Sequence, residues 1–125
     1  KTIFITSNTV GRGNGPYTAG EGVQVWGFLN LDGTTITATR IALVGPVAAD
    51  ANSMQWQLSS FNATTLHLGL LGFDVDASGT VQFLDKADAM ITDAQFFGQL
   101  TDRSIVRATG TVSGSVLTAN MLEIE

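Results

Sequence analysis

Apolar and polar residues alternate along most of the chain, which is the pattern of half-buried β-strands. The clearest case is the run from Ser53 to Phe61, where Met54, Trp56 and Leu58 alternate with polar side chains. Clusters of Gly, Asn, Asp and Ser separate the alternating runs and predict turns. The sequence therefore predicts an all-β protein.

The first 45 residues predict a short strand, a glycine-rich loop and one hairpin. Five glycines between residues 7 and 22 exclude regular structure there. The predicted strands of this part are Lys1 to Thr6, Val23 to Leu31 and Thr34 to Val44. We expect the hairpin to turn at Asp32-Gly33, because this pair is favoured where both turn residues have positive φ.

Residues 52–125 predict a complete unit of five strands and one helix. The strands are Ser53 to Phe61, Leu66 to Val75, Val81 to Leu84 continued by Ala87 to Ile91, Ser104 to Val112, and Val116 to Ile124. Thr92 or Asp93 is expected to cap a short helix over Ala94 to Leu100, whose Phe96, Phe97 and Leu100 close one end of a barrel. Three strands, a helix and two strands is the order of an OB-like small β-barrel.

The two hairpins share a sequence pattern. Val23-Gln24-Val25-Trp26-Gly27, a turn, and Thr37-Ala38-Thr39-Arg40-Ile41 parallel a second pair of segments. That second pair is Val106-Arg107-Ala108-Thr109-Gly110 and Thr118-Ala119-Asn120-Met121-Leu122. We therefore interpret residues 1–45 as the closing half of an incomplete second β unit that lacks its first strands.

This pattern, together with Phe73-Asp74-Val75-Asp76-Ala77-Ser78 and the helical Ala94-Gln95-Phe96-Phe97, resembles the bacterial domain-of-unknown-function family five-six-six-six. The resemblance covers most of residues 53–125 and, more weakly, residues 21–44. It implies a β-barrel module found in tandem in exported bacterial proteins, and it carries no catalytic residues. The shortened first repeat and its glycine-rich loop depart from the family pattern.

Charge is scarce, since only 14% of the residues are charged and the net charge is −5. Six scattered basic residues argue against nucleic-acid binding, which needs a basic stripe. No run approaches 18 apolar residues, so no membrane span is expected. A removed signal peptide would account for the lack of an initiator Met before Lys1, and we expect a secreted protein of the bacterial surface.

One segment has the spacing of calcium ligands. Asp74, Asp76, Ser78 and Asp85 stand at positions 1, 3, 5 and 12 of such a loop, with Gly79 at position 6. The same residue types are also those of an ordinary β-turn, so a calcium site and a turn both remain open. No other cofactor is expected.

The sequence predicts no enzyme. His67 is the only histidine, and its alternation with Leu66 and Leu68 places it on the outer face of a strand. The glycine-rich stretch Gly11 to Gly15 is followed by Pro16 instead of a helix, so it does not predict a phosphate-binding loop. The acidic pair Glu123 and Glu125 is interpreted as solvated charge.

Two functions remain. The first is a structural subunit of an extracellular or cell-surface assembly, in one form a filament, whose identical copies are joined by β-strand exchange. The residues predicted to form its interface are Ile3, Ile5 and the glycine-rich loop with Gly13 and Tyr17 as the donated segment, and Trp26 and Phe28 as interface anchors. The alternative is a secreted module that binds a carbohydrate or an envelope ligand through Trp26, Tyr17 and His67.

Overall fold

Strands dominate the computed structural model, which describes residues 1–11 and 20–125. The chain divides into an N-terminal unit, Lys1–Ala48, and a C-terminal unit, Ala49–Glu125. The predicted segments 1–45 and 52–125 lie within these two units. The prediction of an all-β protein is confirmed, because two sheets and one short helix make up the regular structure of the described residues.

The N-terminal unit contains a three-stranded sheet. Its strands are β1 (Thr2–Phe4), β2 (Gly22–Leu29) and β3 (Thr35–Val44), in the order β1-β3-β2. The central strand β3 pairs in parallel with β1 and antiparallel with β2. The N-terminal strand is shorter than the predicted Lys1 to Thr6, and the hairpin lies where the sequence pattern predicts it.

The turn between β2 and β3 depends on a carboxylate. Asp32 accepts hydrogen bonds from the Thr34 and Thr35 amides at 2.8 and 2.9 Å and from the Thr35 hydroxyl at 2.7 Å. These bonds, led by that from the Thr35 hydroxyl, lower the pKa of Asp32 to about 2. Gly33 has a φ of +71°, whereas Asp32 does not have a positive φ, so the expectation that both residues have one is wrong.

The C-terminal unit contains eight strands and one helix. These are β4 (Asn52–Gln57), β5 (Ser60–Asn62), β6 (His67–Leu70), β7 (Phe73–Asp76), β8 (Gln82–Leu84), β9 (Met90–Ile91), α1 (Asp93–Gln99), β10 (Ile105–Ser113) and β11 (Val116–Ile124). The main path of the sheet is β4-β10-β11-β7-β6-β5, and β8 pairs with β11 and β9. Neither sheet of the described residues is closed, so the predicted OB-like barrel is not confirmed.

The predicted single strand from Leu66 to Val75 is wrong, because the chain reverses within it. β6 and β7 form a tight hairpin whose two turn residues, Leu71 and Gly72, have φ values of +54° and +78°. Two positive φ values give the local twist that suits a two-residue hairpin. A leucine at the first turn position hides this turn from a reading of hydrophobic periodicity.

A short helix, α1, forms where the sequence predicts one, over Asp93–Gln99 instead of Ala94 to Leu100. Thr92 is the N-cap: its hydroxyl accepts from the Gln95 amide at 3.1 Å, while its own amide donates to the Gln95 side chain at 2.9 Å. The rings of the buried residues Phe96 and Phe97 lie 5.2 and 6.4 Å from that of Phe83. The helix therefore joins the apolar core beneath the sheet of the C-terminal unit.

The hairpin β2–β3 repeats the hairpin β10–β11 residue for residue. Gly27 faces Ala38 after a register shift, and Gly110 faces Ala119 after the same shift. At both glycines a Cβ atom would collide with a carbonyl oxygen of the facing strand, that of Thr118 in the second hairpin. The close approach explains why both β-bulges require glycine.

The parallel pairing repeats as well. β1 meets β3 with Ile3 opposite Ile36, and β7 meets β11 with Val75 opposite Leu117, which is the corresponding pair of positions. The N-terminal unit thus has counterparts of β7, β10 and β11. It has no counterpart of β4, β5 or β6 among residues 1–11 and 20–48.

We expect Gly110→Ala to lower the free energy of unfolding by about 3 kcal/mol, since the added methyl group meets backbone that cannot move aside. Thermal unfolding followed by circular dichroism measures this loss. Gly98→Ala is the matched control: nothing lies within 4 Å of the position, and alanine favours helix by up to about 1 kcal/mol. Equal unfolding temperatures for the two variants would contradict the packing argument.

Candidate interaction surface

The N-terminal unit has almost no apolar core of its own. Among the described residues its buried apolar side chains are Ala38 and Ile41, whereas the core cluster of fifteen buried residues lies in the C-terminal unit. A sheet must bury one apolar face against another layer to be stable. The described residues of the N-terminal unit, 1–11 and 20–48, therefore provide no layer that covers its sheet.

Exposed apolar side chains concentrate in the same unit. Of the sixteen large apolar residues that are exposed in the described part of the chain, eleven lie in the N-terminal unit. They are Ile3, Phe4, Ile5, Val10, Val23, Trp26, Phe28, Leu31, Leu43, Val44 and Val47. A concentration of exposed apolar side chains in one unit is typical of an interaction surface.

Corresponding apolar positions of the two hairpins differ in how far their side chains are buried. Val23 is 42% exposed, while Val106 at the corresponding position is 0% exposed. Leu43 is 43% exposed, while its counterpart Ile124 is 5% exposed. The same apolar positions are thus core in one unit and surface in the other.

The outer edge of β2 is the second feature of this surface. In the C-terminal unit, β4 pairs along the outer edge of β10 over six residue pairs. None of the residues that the structure describes pairs with the corresponding edge of β2. The strand has the sequence GVQVWGFL, without charge or proline, the usual devices that protect an edge strand from pairing.

The predicted interface anchors Trp26 and Phe28 both lie on β2 and are 37% and 51% exposed. The Arg40 guanidinium stands over the Trp26 ring, 4.5 Å from its centroid, as a cation–π contact. Arg40 thereby occupies one of the two faces of the Trp26 ring. The predicted interface residues Gly13 and Tyr17 lie outside the described residues.

The predicted donor residues Ile3 and Ile5 belong to a segment that is already paired. Ile3 lies on β1 opposite Ile36 of the same chain, and Ile5 follows the end of that strand. The register is that of β7 on β11, so β1 completes the sheet of its own unit. This pairing argues against the predicted role of β1 as a donated strand, although both side chains are exposed.

The four candidate calcium ligands make ordinary strand and turn contacts. The Asp76 carboxylate accepts from the Ser78 amide and hydroxyl, and these bonds lower the pKa of Asp76. Asp85 accepts from the Ala87 amide at 2.8 Å in its own turn. No group of three or more His, Asp or Glu residues within the described ranges could hold a metal ion. The contacts of these four residues give no support to the predicted calcium site.

His67 forms a polar cluster with two of these carboxylates. Its Nδ1 lies 2.8 Å from Asp74 Oδ1, and its Nε2 lies 3.5 Å from Asp76 Oδ1. The pairing follows from the β6–β7 register, in which His67 faces Asp76. The Asp74 hydrogen bond raises the pKa of His67, and the charges of both carboxylates add to the effect.

A shallow groove of about 560 Å³ lies in the C-terminal unit, lined among others by Lys86, Gln99 and Arg103. Ser104 lines it too, and its hydroxyl accepts from the Thr101 amide at 2.9 Å. No histidine lines this groove.

Glu123 is not the solvated charge that the sequence suggested. It is 8% exposed and accepts a 2.8 Å hydrogen bond from Arg107 Nε across the β10–β11 ladder. Arg107 also lies 3.4 Å from Glu125, and its pKa is raised chiefly by the bond to Glu123. This cluster stabilises the hairpin of the complete unit.

No helix in the described part of the chain has the length and apolar character to cross a bilayer.

The sequence predicts only part of the candidate interaction surface of the N-terminal unit. In the sequence, the outward position of Trp26 and the incomplete repeat indicate that the N-terminal unit carries an interaction surface. The sequence pattern does not identify the open edge of β2. A signal was present, since Val23 to Leu29 is an alternating strand without a charged residue. Comparison with β10, which is paired along both edges, shows that the outer edge of β2 is open within the described residues.

We expect His67→Gln to remove a pH-dependent part of the stability. The folded-state pKa of His67 is raised above 6.5, so protonated His67 stabilises the folded protein. This contribution is complete below the unfolded-state pKa and disappears as the pH rises through the folded-state pKa. The difference in unfolding temperature between the natural chain and the variant should be larger at pH of about 5.5 than at about 8.5.

Asn120→Gln is a suitable control, because Asn120 is exposed and carries no titrating group. A difference for His67→Gln that does not change with pH would contradict the assignment.

In comparisons with known proteins, no family model, no curated protein and no solved structure matches the chain. The surface of the N-terminal unit and the open edge of β2 are therefore the basis for a functional conclusion.

Proposed function

We propose that this protein is a structural subunit of an extracellular or cell-surface assembly whose copies are joined through the N-terminal unit. The observation that supports this proposal is the absence of a core: among its described residues the unit buries only Ala38 and Ile41 as apolar side chains. A neighbouring copy would supply the missing apolar layer. The pairing of edge strands is a common way to join such units.

The composition supports the same proposal. Charged residues form 14% of the chain, against roughly 25% in an average soluble domain. The exposed apolar side chains cluster in one unit instead of being scattered singly over the surface. A subunit that covers this surface with a neighbour has less need for charge.

Strand exchange in this proposal uses β2 and not β1. Donation of β1 would break its three register pairs with β3, from Thr2 with Thr35 to Phe4 with Thr37. The outer edge of β2 is open within the described residues, so pairing there breaks nothing. A contact between this edge and a different surface of the next copy builds a filament when the rotation from copy to copy does not close, and a ring when it does.

We also propose that the C-terminal unit is an OB-like module. β4 and β5 lie at the two ends of the main sheet path, yet only Leu58 and Ser59 separate them in the chain. A strand that bends in this way takes part in both halves of a small barrel. A rigid module of this kind would serve as the repeating body of a secreted bacterial assembly.

The test is electron microscopy and light scattering of the 125-residue chain purified without denaturant. We expect filaments or large oligomers. Phe28→Ser should raise the concentration needed for assembly by roughly tenfold or more, since burial of a phenylalanine side chain contributes about 1.5–3 kcal/mol. A monodisperse monomer at all concentrations would overturn the proposal.

Met90→Ser is the matched control for this experiment. Met90 is an apolar side chain that is 71% exposed, but it lies in the C-terminal unit. We expect its substitution to leave assembly unchanged. Equal effects of the two substitutions would mean that general hydrophobicity, and not the surface of the N-terminal unit, drives association.

A further inference from the structure

The outer edge of β2 is paired with none of residues 1–11 and 20–125. We infer that it binds one extended, uncharged segment of the β4 type, antiparallel to β2 and with apolar side chains at alternate positions. This inference rests on the proposed function in that both use the same open edge. It adds the direction, the register and the side-chain pattern of the partner segment.

The pairing of β4 with β10 in the C-terminal unit is the template for this complex. There β4 runs antiparallel to β10, from Gln57 opposite Ile105 to Asn52 opposite Gly110. β10 and β2 correspond position by position through the glycine of the bulge. The stretch of β2 that corresponds to the bound part of β10 is therefore Gly22 to Gly27.

The template also fixes which side chains meet. Trp56 of β4 lies opposite Val106, and Met54 lies opposite Ala108, on the core face of the sheet. The corresponding residues of β2 are Val23, which is 42% exposed, and Val25, which is half-buried. Two apolar side chains of a bound strand would cover these two valines. Directly opposed residues of neighbouring strands share a face, so the register decides the match.

The other face of β2 restricts the partner further. In the template Ser53 lies opposite Thr109, whose counterpart on β2 is the much larger Trp26. Arg40 already packs on the Trp26 ring. A bound segment therefore needs a small side chain opposite Trp26, and a serine of the β4 type satisfies this requirement.

The absence of charge along β2 makes the receptor edge selective in one further way. Gln24 is the only polar side chain between Gly22 and Leu29, and its counterpart Arg107 lies opposite Gln55 of β4. A charged residue placed opposite Val23 or Val25 would lose its hydration without gaining a partner. The segment that binds is accordingly uncharged over its paired length, as β4 itself is.

The experiment uses the full 125-residue chain and a synthetic peptide with the sequence of residues 51–59. We expect saturable binding with one peptide per chain, measured by isothermal titration calorimetry. Hydrogen exchange should show new amide protection over Gly22 to Gly27. In a preparation that has assembled, the peptide should shift the mass distribution towards smaller species.

A control peptide carries Met54→Ser and Trp56→Ser and keeps the same length and charge. We expect it to bind at least about tenfold more weakly, because two apolar side chains no longer reach the valines. Equal binding of the two peptides, or protection that appears outside β2, would overturn the inference.

Matched protein variants test the face of the strand. Val23→Lys should weaken peptide binding about tenfold or more, whereas Gln24→Lys on the opposite face should change it by less than about threefold. Circular dichroism establishes that each variant is folded. If Val23→Lys does not fold, the two peptides still decide the result on the natural chain.

The outcomes separate this inference from the proposed function. Binding of the peptide to a chain that never assembles would support the strand receptor and overturn the structural-subunit proposal. Assembly that the peptide neither binds nor disperses would overturn the receptor while the structural proposal stands.

Discussion

Burial of one face of a β-hairpin is the constraint on which the rest of this structure depends. In the C-terminal unit the buried residues of β10 and β11 share one core cluster with residues of β6, β7 and the helix α1, and Val106, Leu117 and Leu122 are completely buried. The N-terminal unit contains the same hairpin with the same bulge and the same parallel neighbour. The part of this unit that the structure describes provides no cover for the hairpin, and apolar positions such as Val23 and Leu43 are exposed there.

The two hairpins form an internal comparison in which backbone geometry is constant and packing differs. Pairing registers, the glycine of the bulge and the parallel strand all agree. What differs is the number of strands beside them. The contrast separates the local requirements of the hairpin, which both units meet, from the requirement for burial, which only the C-terminal unit meets.

Local signals made the hairpins, the helix and the repeat predictable from the sequence. Thr92 and Gln95 form a capping box that depends on two side chains three residues apart, and α1 begins there as expected. The turn at Leu71 was not predictable in this way, since leucine rarely adopts positive φ. Long-range pairing was also beyond the sequence pattern, because nothing local shows that β1 joins β3 in parallel.

The same reasoning applies to the candidate surface. Trp26 is out of phase with Val23 and Val25, and that alternation predicts its place on the outer face of β2, whereas the exposure of Val23 on the other face does not follow from it. The open edge of β2 does not follow from it, because an edge strand and a central strand have the same period. Glu123 shows the reverse case, since its burial depends on Arg107 lying opposite it, which only the register reveals.

The parallel contact between β1 and β3 has a consequence for the order in which the chain opens and closes. Thr2 and Thr35 are far apart in the sequence, whereas β2 and β3 are joined by a short turn. The hairpin can form by itself, but β1 must wait for β3 before it has an edge to join. With three register pairs and little buried surface, β1 is also the strand that detaches at the lowest energetic cost. Of the three strands of this unit, β1 is therefore the last to join the sheet.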